Sequence, residues 1–281
     1  MAVRVGGRSG FDSADIGGGG LDVGRGKAGI GPGGGGGHGR GVVSEVFVLW
    51  ALAFGAIALA TALGSALPWL GRNVKAVAAA AFLFLPAVGL RRSGGTWDDL
   101  GVPDLPWRGR EAARRFLLDL GWGLGVFLLL VPPVVAGFYL MLWLRPDLPD
   151  WIRWWIPYRS APVSPSLRFP DGMLLHVLDQ VLVVALPEEV FFRGYVQTRL
   201  RQAWGPGRLR ILGVRMGAYF WTTQLLFAVA HLGDLDASRL TVFFPAILFG
   251  WLRERTGSIG ASVWVHAGSN LLLKVLEASS F

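Results

Sequence analysis

The chain is 281 residues long, with 52% hydrophobic and 16% charged residues, against about 25% charged in soluble domains; this excludes an ordinary soluble globule. Its lack of cysteine excludes a disulfide framework, a thiolate zinc or iron–sulfur centre and a cysteine nucleophile. The net charge of +8 does not mark a nucleic-acid binder, because the arginines flank apolar stretches rather than forming one stripe with aromatics.

Residues 1–41 hold glycine clusters at Gly17–Gly20 and Gly33–Gly37 and no apolar run of signal-peptide length. They read as a disordered Gly-rich tail. The clusters lack the leading strand and following helix that a phosphate-cradling loop needs.

A bilayer core takes about 20 apolar residues in a helix. Seven candidate spans follow: 43–63, 74–90, 116–144, 173–200, 216–232, 240–252 and 259–276. The second carries Lys75 at its edge, where it can snorkel. Within the third, Pro132 and Pro133 predict a kink or break. Residues 145–171 gather Trp151, Trp154, Trp155 and Tyr158, an interfacial anchor or an amphipathic lid. Most Lys and Arg fall on the tail side of this arrangement, which places the N-terminus in the cytoplasm. The fold expected is all-α: a polytopic transmembrane bundle of about seven spans. Its parts are the tail (1–41), N-terminal transmembrane helices with an interfacial loop (42–171) and a C-terminal transmembrane core (172–281).

Ionisable groups inside a span are costly and mark function by default. The fourth span reads Pro187-Glu188-Glu189-Val190-Phe191-Phe192-Arg193-Gly194. Glu189 and Arg193 are four apart and share a helical face; alone they also read as a structural pair. Glu188 lies about 100° around the helix. It is free to act as a general base. The fifth span ends on Phe227 and His231, again four apart, and the seventh carries His266 and Asn270 at the same spacing. A carboxylate, two imidazoles and an amide on three helices can activate a water and stabilise an oxyanion. His176 and Asp179 read as interfacial polar residues, and Asp234 and Asp236 as loop solvation.

Glu188-Glu189-x-x-x-Arg193, Phe227-x-x-x-His231 and His266-x-x-x-Asn270, in that order and in apolar helices, resemble the three motifs of the intramembrane CAAX-processing and bacteriocin-processing protease family. The likeness covers about residues 172–277. It implies an intramembrane endopeptidase in which Glu188 activates water with His231, His266 and Asn270 hold the oxyanion, Glu189 and Arg193 orient the site, and Phe227 packs beside His231. A metal-free glutamate mechanism is favoured; if zinc is used, its ligands are Glu188, His231 and His266. The implied partners are membrane lipids and a membrane-anchored protein or peptide, such as a bacteriocin-like precursor or a C-terminal sorting signal, with no nucleic acid. The implied location is a prokaryotic cytoplasmic membrane. Two rival readings are a non-proteolytic scaffold or immunity protein of the same family and a transporter using Glu188 and the histidines as a proton relay.

Overall fold

A computed structural model describes residues 35–153, 156, 166–234 and 236–281, and residues 35–281 form one unit. Helix α1 (Gly35–Leu63) starts earlier than the sequence suggests, so residues 35–41 belong to it rather than to a tail. Once an apolar helix is nucleated, extension adds one hydrogen bond per residue. The remainder of the predicted tail, residues 1–34, lies outside the described residues.

Helix α2 (Val74–Ser93) stops at Gly94, whose left-handed φ of 68° lets its N–H reach the Leu90 carbonyl. Arg91 and Arg92 sit in its last turn, at the negative end of the helix dipole. Helix α3 (Arg110–Leu144) runs unbroken through Pro132 and Pro133, so no break occurs there. Packing on both sides of the pair holds the axis: Val126 and Leu130 cluster with Val265 of the last helix, and Phe138 and Leu142 with its Leu276.

Residues 173–204 form one continuous helical rod, α4, with two widened π stretches, Asp179–Ala185 and Val190–Val196. Between them lies the α turn Leu186–Glu189. Pro187 has no N–H and its ring crowds the preceding carbonyl. The chain accommodates it by the wider turn, in which the Leu186 N–H reaches back five residues to Val181. A short hairpin, β1 (Leu209–Ile211) and β2 (Val214–Met216), follows. Its turn residues Leu212 and Gly213 both take positive φ, 46° and 82°, as the twist of a two-residue hairpin requires. Helices α5 (Ala218–Ala230), α6 (Phe243–Thr256) and α7 (Gly260–Ser280) complete the unit.

Among the described residues, three segments are long and apolar enough to cross a membrane: Gly39–Leu63, Val74–Ser93 and Arg110–Asp147. Helices α4 to α7 occupy the places of the other four predicted spans but fall short of that measure. Helices α5 and α6 are 13 and 14 residues long. Polar side chains interrupt the others: Glu188, Glu189 and Arg193 in α4, and His266, Asn270, Lys274 and Glu277 in α7.

The main core lies where α4 meets α1, α2 and α5. Phe191, Phe192, Tyr195, Tyr219 and Phe220 are each fully buried there. Among lipids the solvent is as apolar as the core, so packing and ring geometry bind the helices rather than water exclusion. Phe192 meets Phe191 and Phe227 edge to face, with ring centroids 5.0 Å apart in each case. Such pairs contribute about 0.5–1.5 kcal/mol beyond area. Trp151 is exposed; Trp154, Trp155 and Tyr158 of the predicted interfacial cluster lie outside the described residues.

Candidate active site

The turn Leu186–Glu189 carries both carboxylates. Glu189 is wholly buried and faces α7 and its own helix. Its Oε1 accepts from Arg193 Nη1 at 3.0 Å and from His266 Nδ1 at 2.9 Å. Arg193 is equally buried. It donates from Nη2 to the Ala246 carbonyl at 3.2 Å and to Gln224 Oε1 at 3.4 Å. Its guanidinium lies 4.2 Å above the Phe227 ring, a cation–π contact in a dry setting. The i,i+4 pairing expected from sequence is present, and it reaches into three helices.

Glu188 points the other way, into the cavity. His231, at the end of α5, donates Nδ1–H to the Phe227 carbonyl at 2.9 Å; a carbonyl only accepts, so this nitrogen carries the proton. The same logic puts a proton on His266 Nδ1, whose partner is a carboxylate. The Nε2 atom of each imidazole stands 3.8 Å from Glu188 Oε2. That oxygen is buried and, among the described residues, has no hydrogen-bond partner. Both imidazoles therefore approach the Glu188 carboxylate at separations too long for direct hydrogen bonds.

Aromatic rings fix both imidazoles. The Phe227 ring lies 4.6 Å from that of His231, and Phe249 stacks on His266 at 4.7 Å and 15°. Gly250 makes the α5–α6 contact: a Cβ there would fall 2.4 Å from Gln224 Nε2. Asn270, one turn beyond His266, also lines the cavity and donates Nδ2–H to Gln180 Oε1 at 2.8 Å. All seven residues singled out in the sequence thus fall in one connected group.

Gln180, Gln224 and Phe249 escaped the sequence reading. Gln224 lies three residues before Phe227 and seven before His231, on the motif's own helical face, and Gln180 is an amide within an apolar run; both were legible signals. Phe249 is one Phe among 17, and nothing local marks it. Asp179 pairs with Lys75 at 3.0 Å. Asp236 does not simply solvate its loop: it caps the turn Ala237–Val242, accepting from the Ser238 N–H. That bonding holds its carboxyl below the usual carboxylate range.

The cavity encloses about 830 Å³. Its walls are mainly apolar: Ala78 and Phe82 of α2, Phe127 and Leu130 of α3, Leu248 of α6 and Leu272 of α7. A zinc ion would be held by Glu188, His231 and His266. Among the described residues no three His, Cys, Asp or Glu side chains are disposed to hold a metal ion. The 3.8 Å separations also exceed the roughly 3.4 Å between neighbouring ligands of a tetrahedral zinc at ordinary bond lengths.

No curated protein and no solved structure matches the chain. A family model described as "Type II CAAX prenyl endopeptidase Rce1-like" matches residues 170–272, which include Glu188, Glu189, Arg193, Phe227, His231, His266 and Asn270. That segment is similar to the Rce1-like family of CAAX-type membrane proteases, and the long apolar helices mark the chain as an integral membrane protein.

Proposed function

We propose that the protein is an endopeptidase that hydrolyses a peptide bond of a membrane-anchored protein or peptide with a water activated by Glu188. The observation that carries this reading is the cluster of Glu188 Oε2, His231 Nε2 and His266 Nε2, in which a buried carboxylate oxygen without a hydrogen-bond partner among the described residues stands 3.8 Å from each imidazole. A water placed there donates one hydrogen to Glu188 and one to an imidazole, leaving its lone pairs for a substrate carbonyl carbon. Glu188 takes the proton as the C–O bond forms. The proton then passes to the leaving nitrogen as the C–N bond breaks. The Asn270 amide donates to the developing oxyanion. His266 can join it only when both its nitrogens carry protons, and in its neutral form it helps to hold the water instead. Glu189, Arg193 and Gln224 keep His266 in place.

The mechanism needs no metal. The substrate is membrane-anchored because the cavity walls come from the apolar helices α2, α3 and α7, and a bacteriocin-like precursor or a C-terminal sorting signal fits that description. In this reading α4 to α7 also cross the bilayer, sheltered by their neighbours. The Arg91–Arg92, Arg114–Arg115 and Arg253–Arg255 end of the bundle faces the cytoplasm of a prokaryotic cell, together with the N-terminus.

The test compares the membrane proteomes of cells carrying wild type and Glu188→Ala at matched expression. Peptide termini that appear in the wild type and vanish in the variant are expected, and the cut sequence identifies the substrate. If the two proteomes are the same while a deletion strain keeps a phenotype that Glu188→Ala rescues, the protein is a scaffold. Proton-coupled flux without cleavage identifies a transporter.

A further inference from the structure

Asn270 is useful to an oxyanion only if its nitrogen, not its oxygen, faces the reacting carbonyl. The two ends of a side-chain amide have nearly the same shape, so packing alone does not choose between them. Here a chain of hydrogen bonds chooses. Asp179 Oδ2 accepts from Lys75 Nζ at 3.0 Å and from Gln180 Nε2 at 3.0 Å. A carboxylate accepts only, so Gln180 is obliged to turn its nitrogen toward Asp179. Its Oε1 is left for Asn270, and an amide oxygen also accepts only. Asn270 must therefore present Nδ2, which it does at 2.8 Å. One of the two hydrogens on Nδ2 is held by Gln180; the second remains for the cavity that both residues line.

We infer that Gln180 and Asp179 are positioning residues that set the polarity of the Asn270 amide. This rests on the oxyanion role given to Asn270 above. Gln180 lies in the π stretch Asp179–Ala185, immediately before the turn that carries Glu188. The general base and the residue that orients the oxyanion donor are thus coupled through one irregular segment of α4. The Lys75–Asp179 pair is partly exposed, with side chains 65% and 31% accessible, so it adds little stability. Its role is directional.

The test uses the peptide cut by wild type, made as an internally quenched substrate, with the enzyme in lipid nanodiscs. Gln180→Leu is expected to lower kcat roughly 10- to 100-fold, the scale of a misplaced oxyanion donor, with KM within about twofold. Asn270→Ala is expected to lose at least as much, and adding Gln180→Leu to it to cost nothing further. Exchanging the two groups, Asp179→Asn with Gln180→Glu, keeps an acceptor toward Asn270 and is expected to recover most of kcat, which a misfolded variant would not do. Wild-type kcat in Gln180→Leu, an independent further loss in the Asn270→Ala background, or failure of the exchange overturns the inference alone. If Asn270→Ala keeps wild-type kcat, or wild type cuts no peptide, the reading of the site fails and this inference falls with it.

Discussion

Removing the Arg193 side chain tests the architecture of the site most sharply. Arg193→Leu deletes hydrogen bonds to Glu189 at 3.0 Å, to the Ala246 carbonyl at 3.2 Å and to Gln224 at 3.4 Å. It leaves the Glu189 carboxylate fully buried, held by His266 Nδ1 alone. Breaking a buried pair from one side costs about 3–5 kcal/mol. Even the lower figure shifts the folding equilibrium by about 100-fold. The double substitution Glu189→Leu/Arg193→Leu removes the stranded charge, so most of that loss is expected to return, to within about 1 kcal/mol of wild type. Catalysis should not return with it, because His266 Nδ1 then has no acceptor and the imidazole loses its fixed tautomer and orientation. Equilibrium unfolding in detergent micelles, followed by circular dichroism, gives the stabilities; cleavage of the wild-type peptide gives the activity. A single variant within about 1 kcal/mol of wild type, or a double variant no better than the single, refutes the view that Glu189 and Arg193 neutralise each other inside the core.

Other outcomes follow from the same geometry. A strong zinc chelator should leave the cleavage rate unchanged; loss of activity restored by added zinc would replace the water-only scheme. Gly250→Ala places a methyl 2.4 Å from Gln224 Nε2. It should therefore destabilise by about 1–3 kcal/mol and lower activity, measured in the same micelle assay; a neutral effect would show that α5 and α6 are not held at this contact. The Asp236 carboxyl has a lowered folded-state pKa. Its contribution is complete above the ordinary carboxylate value and is lost as pH falls through the lower folded value. Hydrogen exchange in residues 237–242 should accordingly rise below about pH 4 and do so at neutral pH in Asp236→Ala; identical exchange in variant and wild type would remove the cap from the account.

The sequence by itself determined the membrane character, the helical class and seven candidate residues that the fold brings close together. Hydrophobic runs of bilayer length read directly as helices, and α1, α2 and α3 lie where those runs fall. Charged and imidazole side chains stand out because an apolar segment carries them at a cost, so Glu188, Glu189, Arg193, His231, His266 and Asn270 were visible without coordinates. Their i,i+4 spacing also foretold the Glu189–Arg193 bond and the Phe227–His231 contact, since both are local to one helix. Packing between elements was not legible. Helix α3 keeps a continuous course through Pro132 and Pro133 because α7 braces it on both sides, a force from residues more than 100 positions away. Gln224 and Phe249 join the site through other helices, Gln224 by accepting from Arg193 and Phe249 by stacking on His266. The direction of each side chain was decided in the same way. Which nitrogen of His266 carries the proton, and which end of the Asn270 amide is presented, depend on partners from another helix. A hydrogen bond takes its direction from both of its ends, and the sequence places only one end at a time.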